Sequence, residues 1–212
     1  MDPLTIKVIA SAYSMRKELK IILFTLIALL MLPVVGVILL TQTGINIISD
    51  ALVTQGSTQA SQIVNVDIHD PETGTVIDNI TGPGMWPTPG IVTLEFGQSD
   101  LPYQTSHTGI DIADPIGEVG APLVAFMAGK VTYAGSDNWG YGTHAIIDHG
   151  HGVVSLYGHM KSLSVTKGQM VEAGTIIGKE GSTGWSTGPH VHFQITVFGI
   201  PINPRVFLTG NP

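Results

Sequence analysis

The chain has no cysteine among its 212 residues, so neither a disulfide framework nor thiolate ligation of a metal is open to it. Any metal must be held by histidine and carboxylate side chains. Basic residues are scarce as well: none occurs between Lys20 and Lys130. Residues 1–40 carry four basic and two acidic side chains, and the remainder carries five basic and fourteen acidic ones. A portion that acidic offers no basic stripe to neutralise phosphates, which excludes nucleic acid as a partner. No HExxH helix motif is present, so a glutamate base of that kind is not on offer. Internal repeats and low-complexity tracts are missing, and beyond residue 86 so is any helical periodicity.

One long apolar stretch does occur. Residues 21–40 are uncharged, and as a helix rising about 1.5 Å per residue they would cross a hydrocarbon core of about 30 Å. Pro33 and Gly36 within it are tolerated in membrane helices. Lys7, Arg16, Lys17 and Lys20 precede the run, which predicts a cytoplasmic N-terminus and an extracytoplasmic remainder, in the cell wall or periplasm. A cleaved leader ending near Ser49-Asp50-Ala51 is the rival reading, but the run is long for a signal core and that site lies well beyond its end. The expected organisation is a cytoplasmic segment (1–20), a single-pass transmembrane helix (21–40), a stalk with marginal structure (41–85) and a folded domain (86–212). Within the stalk, Val64 to Ile68 and Val76 to Ile80 flank the turn-rich Asp70-Pro71-Glu72-Thr73-Gly74 and could close a small hairpin.

After Trp86-Pro87 the chain turns to short alternating runs broken by glycine. Candidate strands are 91–96, 109–112, 122–126, 130–134, 144–148, 153–157, 162–165, 175–178 and 190–197. Short strands at regular spacing predict a mostly β domain, an antiparallel sandwich or barrel-like sheet.

The last of these runs carries the chemistry. In His190-Val191-His192 the spacing of two puts both imidazoles on one strand face, with Val191, Phe193 and Ile195 on the other. Upstream, His107-Thr108-Gly109-Ile110-Asp111 supplies another nitrogen and a carboxylate, and its glycine argues for extended or turning backbone. A hydrolytic zinc takes three protein ligands and leaves a fourth position for water. His107, Asp111 and one member of the HxH pair make such a set, which leaves the other imidazole for proton transfer. His159, in Tyr157-Gly158-His159, is a second candidate for that work.

These runs, with Gly140-Tyr141-Gly142, His149-Gly150, Leu156-Tyr157-Gly158-His159-Met160, Gly181-Ser182-Thr183-Gly184-Trp185-Ser186-Thr187-Gly188-Pro189-His190-Val191-His192-Phe193 and Pro201-x-Asn203-Pro204, resemble the M23 zinc metallopeptidases. These are lysostaphin-like or LytM-type peptidoglycan endopeptidases. The resemblance covers about residues 87–208. It implies one zinc ion on His107, Asp111 and His192, with His159 and His190 in catalysis as general base and transition-state donors, their division of labour left open. It implies a mostly antiparallel sheet with the metal on the floor of a groove, and peptidoglycan peptides as substrate. The membrane anchor permits a setting beside an envelope-spanning secretion or conjugation apparatus. Many relatives are degenerate and act as activators of other wall hydrolases, but here every ligand and both catalytic positions are filled. A regulatory or wall-binding module is the other reading. Two departures stand out: extra residues at Asp114 to Gly120 near the groove, and His144 at a strand end.

His149-Gly150-His151 repeats the HxH spacing, yet its glycine frame predicts an exposed turn rather than a metal site. Trp86, Trp139, Tyr141 and Trp185 are divided between packing and groove lining. His69 has no partner in sequence and receives no role.

Overall fold

A computed structural model describes residues 21, 22, 25, 44–55, 63–99, 106–117 and 119–212. The expected membrane helix at 21–40 lies almost wholly outside these. Among the described residues no helix is long and apolar enough to cross a membrane. Gly44–Pro212 forms one compact unit, mostly β and antiparallel.

Each predicted run beyond residue 86 contains a strand. These are β4 (Ile91–Leu94), β5 (Ile110–Ala113), β6 (Pro122–Val124), β7 (Gly129–Ser136), β8 (Thr143–Asp148), β9 (Val153–Gly158), β10 (Ser162–Leu163), β12 (Ile176–Lys179) and β13 (Val191–Val197). The two-residue β11 (Met170–Val171) and β14 (Ile200–Ile202) are additional. Strands β11-β7-β8-β9-β13-β5-β4 form the main sheet, and β14 also pairs with β13. A second small sheet has the order β10-β12-β6.

β13 is central because its apolar face is fully buried: Val191, Phe193, Ile195 and Val197 are each 0% exposed. One edge of β13 pairs along its length with β9, while the other is shared between β5 at the start and β14 at the end. The β13–β14 reversal at Phe198-Gly199 holds both residues at positive φ, 51° and 80°, the pattern of a type I′ hairpin turn. Phe193 packs edge-on to Phe126 and tilted to Tyr157, with ring centroids 5.6 and 5.2 Å away. The Tyr157 hydroxyl accepts from the Phe126 backbone N–H at 2.9 Å, so its one polar atom is satisfied inside the core.

The described residues of the segment expected to be a stalk form regular structure. Residues 44–52 are helical, and β1 (Val53–Gln55), β2 (Ile63–His69) and β3 (Val76–Pro83) form a three-stranded antiparallel sheet. The β2–β3 hairpin is the predicted one, and Asp70 shapes its turn by accepting from the N–H groups of Glu72 and Thr73 at 2.8 Å. Apolar burial holds the remainder: Leu52, Val53, Val66 and Ile68 join the same core as Phe193 and Phe207. These positions look polar in bulk because their neighbours are Thr, Gln and Asn, and sequence averaging hides the alternate residues that point inward.

Candidate functional site

Strand register brings the histidines and the aspartate together. His192 stands directly opposite Asp111 of β5 on one side and Gly158 of β9 on the other. With its neighbours Val191 and Phe193 in the core, the His192 side chain points to the other face of the sheet. His107 reaches it from the turn before β5, which lies tightly against β13. A Cβ on Gly109 would sit 2.4 Å from the Phe193 carbonyl oxygen and 3.0 Å from the His192 ring. Only glycine allows that approach.

Three atoms converge there. His192 Nδ1 lies 2.9 Å from His107 Nε2 and 2.9 Å from Asp111 Oδ1, and His107 Nε2 lies 3.1 Å from the same oxygen. His107 donates its Nδ1–H to the Glu95 carbonyl at 3.2 Å. A carbonyl only accepts, so in the neutral ring Nε2 is a bare lone pair aimed at the other two atoms. Lone pairs held this close repel unless a proton or cation lies among them. His107, Asp111 and His192 could thus hold a metal ion. The donor set suits zinc: two imidazole nitrogens and a carboxylate oxygen, with room for a fourth ligand. Ligands bonded at about 2.0–2.2 Å in a tetrahedron stand about 3.3–3.6 Å apart, so an opening of a few tenths of an ångström seats the ion.

His159 and His190 sit beside this triangle. His190 Nε2 is 3.7 Å from Asp111 Oδ2, and the His159 and His190 rings are 4.7 Å apart, centre to centre. Each donates Nδ1–H to a carbonyl, His159 to Thr183 at 2.7 Å and His190 to Gly188 at 2.9 Å. Both are thereby set in the tautomer that leaves Nε2 free to take a proton. His159 adopts φ +59°, a left-handed conformation that costs a non-glycine residue about 1–3 kcal/mol. Its backbone is fixed there by His159 N–H donating to the Tyr141 carbonyl at 2.8 Å.

Comparison with known proteins bears on this arrangement. The model of peptidase family M23 matches residues 105–204. The catalytic domain of the prophage-encoded M23 protein EnpA from Enterococcus faecalis, crystallised as a point mutant, shares 35% identity. The match covers 57% of this chain and 93% of that one, with a TM-score of 0.51. The chain belongs to peptidase family M23. Another member-like relative is the DD-carboxypeptidase/endopeptidase Mpg of Neisseria meningitidis, 44% identical over 98 residues, 46% of this chain. The murein hydrolase activator NlpD of Salmonella dublin is 40% identical over 123 residues, 58% of this chain. The match spans only 22% of Mpg and 30% of NlpD.

Around the triangle of His107, Asp111 and His192 lies a supporting shell that the sequence did not reveal. Gln194 follows His192 by two on the same strand face, and its Oε1 accepts from the Thr108 hydroxyl at 2.7 Å and the Tyr141 hydroxyl at 3.1 Å. His192 Nε2–H reaches the same oxygen at 3.5 Å, which leaves Nδ1 as the nitrogen facing the triangle. The period-two pattern already contained this signal, since a polar residue two beyond a ligand shares its face. Glu95 holds His107 through its carbonyl, and Arg205 clamps the Glu95 carboxylate bidentately at 2.6 and 3.0 Å. Arg205 in turn lies 5.4 Å over the Trp86 ring, whose Nε1–H donates to the Thr209 carbonyl at 2.9 Å. Outer partners of this kind typically contribute about 10–100-fold in metal affinity. Gln194→Ala is therefore expected to weaken zinc binding by about that factor in a competition titration with a chromogenic chelator, with folding retained.

Electrostatics follow from burial. Burial alone would raise the Asp111 carboxyl, but hydrogen bonding and charge from His107 and His192 more than offset it and hold the group well below the carboxylate range. Burial pushes the His159 imidazole down to about 4, against the opposing bond to Thr183. An imidazole depressed on folding takes up fewer protons than its unfolded counterpart, so its stabilising contribution is full above about pH 6.5. That contribution is lost as pH falls toward 4. Melting temperatures of the metal-free protein between pH 7 and 4 should fall less steeply for His159→Asn, a residue that tolerates the same φ. Equal slopes in the two proteins would contradict the neutral buried imidazole.

The other histidines have separate duties. His149 donates from Nδ1 to the Ala128 carbonyl and meets the Ser155 hydroxyl, each at 2.8 Å, so it is a half-buried strut rather than an exposed turn residue. The neighbouring His151 points away and contacts Asp78 of β3. The second HxH pair diverges because Gly150, His151 and Gly152 all take positive φ, which destroys the strand alternation. His144 is buried, stacked on Tyr133 at 4.4 Å with Nδ1–H donated to Gly142. His69 has partners after all, in Thr54 and the Gly74 carbonyl at the hairpin turn.

Proposed function

We propose that this chain is a zinc metalloendopeptidase that hydrolyses peptide bonds of bacterial peptidoglycan, in a cross-bridge or a stem peptide. The observation that carries the reading is the completeness of the site: three converging donors beside two histidines that share one tautomer. When bound, zinc at such a site supplies a Lewis acid that polarises a carbonyl and makes water acidic enough to attack at neutral pH. His107, Asp111 and His192 would hold it. His159 and His190 present proton-accepting Nε2 atoms and, once protonated, can donate to the developing oxyanion and the leaving amine. Burial lowers the His159 imidazole to about 4, so at neutral pH it rests unprotonated with Nε2 open to a proton. Family membership and the endopeptidase named among the relatives support the chemistry.

The reading extends to location: a membrane anchor at 21–40 with residues 44–212 extracytoplasmic, in the wall or periplasm, resting on the apolar run and the basic residues before it. A second reading, a module that activates another wall hydrolase, is favoured by the likeness to the NlpD activator. The two part in one experiment. Defined wall peptides incubated with the zinc-loaded chain and analysed by mass spectrometry should yield fragments with new amino termini, and chelation should abolish them. Intact peptides after incubation with the loaded protein would overturn the endopeptidase and leave the activator.

A further inference from the structure

Trp139 and Trp185 remain unexplained by folding or by the metal site. They are 69% and 72% exposed, yet they lie against each other, ring centres 6.4 Å apart at 66°. One indole is thus the floor and the other the wall of an open corner. Burial does not explain them, because large apolar rings left this exposed gain little from folding.

The corner is built on rigid backbone that leads straight to the site. Trp139 lies in the β7–β8 loop and Trp185 in the loop before β13. Trp185 N–H donates to the Gly140 carbonyl at 2.8 Å, and the loops press so closely that a Cβ on Gly184 would stand 2.4 Å from that oxygen. A Cβ on Gly142 would be 2.5 Å from the Thr183 backbone. Thr183 accepts from His159 Nδ1, and Ser186, next to Trp185, contacts His190 Nδ1 at 3.3 Å. Both rings are therefore mounted on the segments that orient His159 and His190.

The surroundings identify the ligand chemistry. Between residues 136 and 142 and between 181 and 189 the one formal charge is Asp137, and the remaining polar groups are hydroxyls and an amide. Asn138, Ser182 and Thr187, all within three residues of one or other tryptophan in sequence, are exposed. These stretches hold no lysine or arginine to pair with a carboxylate, and Asp137 is their single carboxylate. A flat apolar face edged by hydroxyl groups matches a neutral pyranose ring.

We propose that Trp139 and Trp185 form a carbohydrate-binding corner that seats one sugar of the glycan strand, so that the peptide hung from it is presented to His159 and His190. This rests on the reading of peptidoglycan as substrate and names the part of it that is held. The test is titration of the full chain with peptide-free glycan strands, followed by tryptophan fluorescence. Trp86 is held by Arg205 and Thr209, so it supplies a constant background. Saturable binding is expected, at least tenfold weaker in Trp139→Ala and Trp185→Ala and largely restored in the Phe variants, which keep a ring face. The single variants each leave the partner loop intact, and their melting temperatures verify folding. No binding by the wild type, or wild-type affinity in both Ala variants, would overturn the proposal. Hydrolysis supplies a second reading: KM on intact walls should rise at least tenfold more than KM on the same peptide freed from glycan. Equal rises would assign the corner to peptide and overturn it. Absence of hydrolysis by the wild type on either substrate would defeat the endopeptidase reading alone, since glycan binding is scored without turnover.

Discussion

His192→Ala is expected to bind zinc at least about a hundredfold more weakly and to lose about three orders of magnitude or more in peptide hydrolysis. The loss corresponds to about 4 kcal/mol of transition-state stabilisation, the scale seen when a group acting directly on the reacting centre is removed. His192 is the residue most exposed to this test because it is 2.9 Å from both other donors, whereas His107 and Asp111 each also lean on it. Folding should survive. The imidazole lies on the face of β13 away from the core, and the strand is held by Val191, Phe193, Ile195 and Val197 on the other. Thermal unfolding with and without zinc separates the two effects: a ligand that binds only the folded state raises the midpoint, so the wild type should respond and the variant should not. His151→Ala, in the other HxH pair and far more exposed, is the matched control and should change neither quantity. Full hydrolysis by His192→Ala would sink the assignment of this site.

The second large effect is expected from one methyl group. Gly109→Ala places a Cβ 2.4 Å from the Phe193 carbonyl oxygen and 2.9 Å from its carbon, and neither backbone atom can move without opening the β5–β13 pairing. Overpacking of this kind costs about 1–3 kcal/mol. The same shift separates Asp111 from His192, whose strands meet at that point, so zinc affinity and hydrolysis should fall together by tenfold or more. Gly188→Ala tests the alternative that any glycine near the site is sensitive: its Cβ would meet nothing within 4 Å, and stability should stay within about 0.5 kcal/mol. Denaturant unfolding of the metal-free proteins reads the first effect and chelator competition the second. Equal stability of Gly109→Ala and wild type would show that β5 does not need the close approach.

Much of the site was legible beforehand for a specific reason. A strand has a period of two, so His190-Val191-His192 before an apolar alternation determines a shared face with no knowledge of the fold. The absence of cysteine limited the ligands to His, Asp and Glu. The resemblance then named His107, Asp111 and His192 as ligands and set His159 and His190 beside them. What escaped was the shell behind those residues. Gln194, Glu95 and Arg205 have ordinary surface chemistry in sequence, and their importance comes from partners 86, 12 and 110 residues away. The three-stranded sheet at 53–83 was only half visible for the same reason, because β1 pairs with β2 across a polar stretch.

The sequence by itself determined which metal donors are available, histidine and carboxylate, and a mostly β domain built of short strands. These follow from residue type and local periodicity. Tertiary structure decided which nitrogen of each histidine faces the site, which HxH pair converges and which diverges, and that two tryptophans end exposed while the third is held against Arg205. Those outcomes depend on strand register and on the close glycine contacts between loops, which bring together atoms that no local pattern relates.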